Sequence, residues 1–302
     1  MIQFILKRIS YGFLVLAGVV TVVFLLFNVL PGDPARMLMG QRADEESLKI
    51  IQKDLGLDQP LSKQFVMYIN DLSPLSFHDK NPEDYLFLDE EKYDYMELFN
   101  YGDSSVAVLK RPYLRRSYTT KRKVSETLMD YMLETAILAL ASIIIASILG
   151  VLFGIVAALR KDSWVDRLLL FISVLGMSVP SFYSAIILSW LFGYVLSDYT
   201  GLNMTGSLFV YDDLGNGEMI RLQNLILPAL TLGVRPVSAI MQLTRSSMLD
   251  VMSQDYIRTA RAKGLKSSTV IIKHALKNAL NPVTTAISGM FASLLAGALF
   301  VE

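Results

Sequence analysis

Tyr256-Ile-Arg-Thr-Ala-Arg-Ala-Lys-Gly-Leu265, followed by His274-Ala-Leu-Lys-Asn-Ala-Leu-Asn-Pro282, is a basic stretch broken by a glycine and set between two strongly apolar segments. Asp255 to Lys263 suits a short helix ended by Gly264, because glycine accepts the left-handed conformation of a helix C-terminal cap. Ser267 or Ser268 is placed to cap a second helix. On that helix Ile271, Ala275 and Asn278 share one face and Lys273 and Lys277 another, while Val270, Ile271, His274, Leu276 and Ala279 make no single stripe. Such a pair at a membrane rim has little to pack against unless a soluble partner supplies the surface. The competing reading is a helix gripping anionic lipid through Lys and Arg, which has no need of Tyr256 or Gly264.

The flanking segments define the class. The chain has 302 residues, 53% of them hydrophobic, with 28 basic residues against 28 acidic and a mean hydropathy of +0.43. Uncharged runs cover Ile9 to Leu30, Thr135 to Leu159, Leu168 to Ser197 and Asn278 to Val301. Each exceeds the roughly 20 residues needed to cross the hydrocarbon of a bilayer. Leu222 to Thr244 makes a fifth span, and Arg235-Pro236 interrupts it near its middle, as in a broken or kinked span lining a protein interior. The fold class is therefore an all-α polytopic membrane protein with five transmembrane helices and an extracytoplasmic insert between the first two. Lys7-Arg8 precedes an apolar run longer than the roughly 7–15 residues of a signal peptide, and no A-x-A site closes it, so it reads as an uncleaved first helix.

Composition also excludes chemistries. With no cysteine there is no disulfide and no thiolate metal site, and His78 and His274 are the two imidazoles. Phosphate-cradling G-x-x-x-x-G-K-[ST] and the G-x-S-x-G nucleophile turn are both missing from the sequence. The spans carry no paired groups for a protease or a metal enzyme. Neither cofactor, metal nor nucleic acid is expected.

Lys and Arg in short loops stay on the cytoplasmic side. Lys7 and Arg8 thus put the N-terminus inside, and Arg160, Lys161 and Arg167 do the same for the loop they flank. Asp198, Asp212, Asp213 and Glu218 against Arg221 mark an outer loop. Arg245 to Asn281, with seven basic residues opposed by Asp250 and Asp255, is the most basic loop and cytoplasmic. The organisation is then a first transmembrane helix over 1–30, an extracytoplasmic segment over 31–132, and a core over 133–302 that contains the loop 245–282. In the outer segment, acids dominate Asp71 to Asp103 and bases Lys110 to Lys123, with Tyr85, Phe87, Tyr93, Tyr95, Phe99 and Tyr101 interspersed, so it folds. It is either a solvated lobe neutralising its own charge or a docking surface for a complementary partner.

Inside the spans, Arg235 is an expensive cation that needs a cavity or a partner. It meets either a ligand carboxylate or a structural counter-group at a subunit interface. Pro180, with Ser178 and Ser181, gives a kink whose freed carbonyls have hydroxyls at hand, serving helix shape or a ligand path. Asn28, Gln242 and the serines of the second span read as helix-packing groups.

Four stretches in order carry a family resemblance: Leu30-Pro-Gly-Asp-Pro-Ala35, Leu55-Gly-Leu-Asp-Gln-Pro-Leu61, Ser178-Val-Pro-Ser-Phe182, and Arg245-Ser-Ser-Met-Leu249 running into Tyr256 to Pro282. With these the chain resembles the membrane subunits of ATP-binding-cassette importers of the oligopeptide, dipeptide and nickel type. It departs from that pattern in three places. Arg258-Thr-Ala260 stands where the broad family has Glu-Ala-Ala, which matches the peptide subgroup. Leu72 to Pro112 looks inserted, with Arg115-Arg-Ser-Tyr118 where Gly-Arg-Ser-Tyr is expected. The chain stops at Val301-Glu302, where the resemblance implies a sixth span and a tail.

The resemblance implies a multi-pass inner-membrane permease subunit of a peptide importer, with nickel or another small solute as alternative cargo. Its implied partners are a second, similar permease subunit in a heterodimer, cytoplasmic ATP-binding subunits that hydrolyse the ATP, an extracytoplasmic solute-binding protein and the lipid bilayer. It assigns Tyr256, Thr259, Ala260, Arg261, Ala262, Lys263, Gly264, His274, Asn278 and Pro282 to the loop that docks on the ATPase, while Arg235, Pro180 and Ser178 are read as translocation-path residues from their own place in the spans. A rival of another class is a membrane-anchored interaction protein acting through its outer lobe.

Overall fold

The computed structural model describes residues 2–29, 56–82, 84–90, 92–102, 104–117, 120, 122–211 and 218–297. The Leu30 to Ala35 turn, Leu55, Tyr118 and the end of the final apolar run lie outside the described residues. Contacts divide the chain into two compact units, Met1–Asp130 and Tyr131–Glu302.

The first unit opens with α1 (Ile2–Val29), whose Phe24 packs on Phe65 and Tyr68 of α2 (Leu61–Leu72) at ring distances of 5.0 and 5.6 Å. Beyond α2 the all-α expectation fails. The stretch read as inserted holds an antiparallel sheet of β1 (Leu75–Asp79), β2 (Tyr95–Tyr101) and β3 (Ser105–Lys110), in the order β1-β3-β2. β3 is the central strand, and Val106, Ala107 and Val108 are all fully buried; β-branched Val106 and Val108 share one covered face, as suits a pleated strand. Gly102, at a φ of 73°, sits in the turn that joins β2 to β3.

The covered face also buries polar groups, and each has a partner. Asp71 accepts from the Tyr93 hydroxyl at 2.7 Å and from Arg115 Nε at 3.3 Å, and its carbonyl accepts from Lys110 Nζ at 2.7 Å. His78 Nδ1 lies 3.2 Å from the Leu86 carbonyl and Nε2 3.1 Å from Ser76 Oγ. Burial pushes the pKa values of His78 and Lys110 down and that of Tyr93 up. Arg115–Asp71 and Arg111–Asp94 join the basic block to the acidic one, as the self-neutralising reading requires.

The second unit is helical: α3 (Val124–Leu159), α4 (Trp164–Ser178), α5 (Ser181–Val195), α6 (Gln223–Met252), α7 (Asp255–Ala262) and α8 (Ser267–Ala296), with a short hairpin of β4 (Phe209–Tyr211) and β5 (Glu218–Ile220). Among the described residues, α1, α3, α6 and α8 are single helices long and apolar enough to cross a membrane, and α4 with α5 makes a pair bent by 111°. Four to five spans follow. The break expected at Arg235-Pro236 is absent, since α6 runs unbroken through Pro228 and Pro236, whereas the kink expected at Pro180 is present as a sharp bend of the run 168–197. Val179, ahead of the proline, is extended (φ −77°, ψ 131°), since the ring excludes the helical region there.

The core joins Leu138, Ala139, Ile143 and Ala146 of α3 to Leu232 and Ile240 of α6 and Val283 of α8. Gly150 and Gly154 let α3 touch α6: a Cβ on Gly154 would lie 2.5 Å from Thr244 Cβ and 2.7 Å from the Met241 carbonyl. α4 is bound to the same helix, with Ser173 Oγ donating to the Ser238 carbonyl at 3.0 Å and accepting from Gln242 Nε2 at 2.8 Å. Gln242 and the serines of α3 act as packing groups: Ser142 and Ser147 donate to carbonyls one turn back, at 2.7 and 2.6 Å.

Candidate functional site

The loop that decides the class forms a hook. α7 ends as expected at Gly264, whose φ of 76° is left-handed and around which an added Cβ would meet open space. The second helix starts without its expected cap: Lys266 holds the cap position, and neither Ser267 nor Ser268 caps the backbone. Its Val270–Leu276 stretch is π-helical and leads directly into the last span.

The hook also needs less outside surface than its sequence implies. Ile257 and Ala260 of α7 are buried against Met248 of α6, Val270, Ala275 and Ala279 of α8, and Ala158 of α3. Asn278 Nδ2 donates to the Tyr256 hydroxyl at 2.9 Å and to the His274 carbonyl at 3.3 Å, tying the arms together. Facing outward are Tyr256, Thr259, Arg261, Ala262, Lys263, Gly264 and Asn278, while Ala260 is inside and His274 half-buried. Pro282 lies exposed in α8. What remains free is thus a basic rim on a prepacked base.

A second element was invisible in the charge count. Asp166, at the start of α4, accepts from Arg245 Nε at 2.6 Å and from Arg245 Nη2 at 2.7 Å, and also from the Asp162 backbone N–H at 2.9 Å. Its side chain is 2% exposed. Ser163, accepting from the Asp166 N–H, fixes the turn that presents the carboxylate. The pair locks α4 to α6 about two turns before α6 ends and the hook follows. Asp166 stands among Arg160, Lys161, Asp162 and Arg167, and Arg245 is one of seven basic residues in its loop, so the one available signal is opposite charges on loops assigned to the same membrane face.

Arg235 lies half-way along α6 and lines a cavity of about 390 Å³ with Met177 and Ser181 of the α4–α5 bend and Met290, Ser293 and Leu294 of α8. One of its N–H groups points at the Met177 carbonyl, 3.4 Å away. Pro180 marks the bend without lining the cavity, and Ser178 Oγ donates to the Val174 carbonyl at 2.8 Å, so the two sit beside the cavity. Among the described residues no three His, Asp or Glu side chains converge as metal ligands.

Apolar helices of spanning length, joined by a capped and charged hook, define a polytopic membrane protein. The chain belongs to the family of binding-protein-dependent transport system inner membrane components, whose model matches residues 150–302. The model of the N-terminal part of these membrane components matches residues 1–79. Residues 80–149, with β2 and β3, fall between the two matches. The chain is 31% identical to the dipeptide transport system permease protein of Alkalihalophilus pseudofirmus, over 100% of its own length and 84% of that protein's. It is 34% identical to the glutathione transport system permease protein of Salmonella paratyphi A (100% and 82%) and 34% identical to a probable D,D-dipeptide transport system permease protein of Escherichia coli (99% and 81%). The protein is a multi-pass permease subunit of an ATP-binding-cassette importer.

Proposed function

We propose that this permease carries peptides, pairing with a similar but non-identical membrane subunit, two cytoplasmic ATPase subunits and an external solute-binding protein. The relatives named for dipeptides and glutathione favour peptide cargo over nickel. The N-terminus and the hook face the cytoplasm, and the lobe of β1–β3 faces out, in line with the loop charges. Residues 1–30, 31–132 and 133–302 then act as membrane anchor, outer segment and transport core, with 245–282 as the coupling loop. ATP is hydrolysed on the partner chains.

The observation that carries this reading is the hook itself. Ile257, Ala260, Val270 and Ala275 are packed within the chain, while Tyr256, Arg261 and Lys263, with Leu265 and Ile272, are held outward on that base. A contact that transmits force must be rigid, because moving a two-state equilibrium from 1:99 to 99:1 takes about 5.5 kcal/mol of differential binding. Closure of the ATPases on ATP pushes the hook and tilts α6 and α8 together, since α7 packs on both. Arg235, Ser178 and Pro180 then lie along the path that opens.

Tagging the chain and identifying what copurifies in mild detergent tests the proposal. An ATPase should be recovered with the wild type and lost with Gly264→Leu, which strains the backbone at a φ of 76° without a steric clash. The second permease should remain in both. Recovery of the ATPase with Gly264→Leu undiminished would move the docking contact off the hook.

A further inference from the structure

α6 carries two arginines in opposite circumstances. Arg245 is gripped on both sides of its fork by Asp166. Arg235 meets no carboxylate among the described residues, and its recorded partner is one backbone carbonyl at 3.4 Å, a distance too long for a strong bond. A guanidinium keeps its charge at any working pH and offers five N–H donors in a fork that matches a carboxylate. In a span, a cation of this kind is retained where it meets something.

The surroundings say what that something is. The cavity at Arg235 is about 390 Å³, at the small end of the range of small-molecule sites, and its walls are mostly apolar. Met177 and Met290 stand on opposing helices, and thioether side chains adapt to cargo of variable shape. Thr231 on the wall donates its hydroxyl to the Leu227 carbonyl at 2.8 Å, a bond within its own helix. One fixed fork in an adaptable apolar chamber recognises a group common to every cargo and tolerates what varies. In peptides the group that matches the fork is the terminal carboxylate, and what varies is the side chains.

We propose that Arg235 holds the free α-carboxylate of a peptide in transit, with the chamber between the α4–α5 bend, α6 and α8 taking the adjoining side chain. This rests on the peptide-importer reading above. It gives the permease a selectivity of its own, separate from that of the solute-binding protein. The bond forms on the way through and must also be released, which suits one fork of modest strength.

The test uses the complete importer in proteoliposomes. One peptide is supplied as the free acid and as its C-terminal amide, each preloaded on the binding protein to the same measured occupancy, so that the binding protein's own preference drops out. The wild type should take up the acid roughly tenfold faster than the amide, the factor supplied by one charge-assisted hydrogen bond. Arg235→Gln should bring the acid down to the amide's rate and leave the amide unchanged. Arg235→Lys, which keeps the charge and loses the fork, should fall between. Stimulation of ATP hydrolysis by the loaded binding protein should persist in all three. Equal slowing of acid and amide in Arg235→Gln, or failure of that complex to assemble, would overturn the proposal in favour of a carboxylate on the partner permease. Equal wild-type uptake of both forms would overturn it too. A wild type that moves neither form sinks the peptide-importer reading itself, an outcome separate from all the others.

Discussion

α6 and the segment 168–197 both carry internal prolines and behave oppositely. α6 runs straight through Pro228 and Pro236, as α8 does through Pro282, whereas the segment 168–197 folds at Pro180 into helices 111° apart. Each of these prolines removes an N–H and crowds the residue before it, so the ring alone cannot account for the difference. Half of the most apolar stretch of α6 is buried, between Gly150 and Gly154 of α3, Ser173 of α4 and the core of α8. At the other site Ser178 and Pro180 are exposed. The lesson is that a proline by itself does not decide the path of a membrane helix, and that α6 keeps its helical path where its neighbours grip it along its length.

The largest way to break that grip is Asp166→Ala, which strands Arg245. Removing one partner of a buried, bidentate pair costs about 3–5 kcal/mol, so the thermal midpoint of the purified complex should drop and α4 should separate from α6. Replacing both residues with apolar ones of similar volume should recover most of the loss. An unchanged midpoint in the single variant would mean the pair contributes nothing to the grip. Next comes Gly154→Val, whose new side chain meets the Met241 backbone and Thr244. Overpacking of this sort costs about 1–3 kcal/mol and should lower the same midpoint without altering the hook.

A smaller effect is expected from the prolines themselves. Pro180→Ala should leave the bend in place, because the flanking helices are held by separate contacts with α6. A chain without cysteines accepts spin labels on α4 and α5 directly, and their distance reports the bend. A shift to the separation of a straight helix would return the cause to the ring. Pro236→Ala should move the midpoint by less than about 1 kcal/mol, since α6 already has its helical shape.

Acidification should give the smallest effect and separate the two units. Burial lowers the folded-state pKa of His78 below its ordinary 6.5, so the unfolded lobe takes up the proton first as pH falls. The contribution is complete above 6.5 and is lost as the pH drops through that value toward the lower folded one. Hydrogen-exchange protection of β1 and β3, corrected for the intrinsic rate, should therefore weaken on acidification while that of α6 holds. His78→Gln should flatten the change. Weakening that persists in this variant would assign it to other groups.

Much of the helical architecture was legible. The four uncharged runs and the Arg235-bearing segment Leu222 to Thr244 marked the spans, and Gly264 marked the turn of the hook because its backbone conformation is one that glycine adopts freely. The sheet was missed because the charge blocks of the outer segment drew more notice than the alternation in Ser105-Val-Ala-Val-Leu-Lys110. Gly150-Val-Leu-Phe-Gly154 signalled the close approach of α3 and was passed over as ordinary span composition. Part of the hook is covered within the chain, and nothing local in Ile257 or Ala260 says that Met248 and Ala275 will cover them.

By itself the sequence determined that this is a polytopic membrane protein with a charged, glycine-turned loop, because hydrophobic length, charge and glycine's freedom are properties of short stretches. Only the tertiary structure decided that α6 runs unbroken through Pro236, that Asp166 answers Arg245 from 79 residues away, and that Arg235 is left facing a cavity. Those outcomes depend on which side chains meet across helices, and the free energy of a buried charge or a missing N–H is set by what lies opposite it.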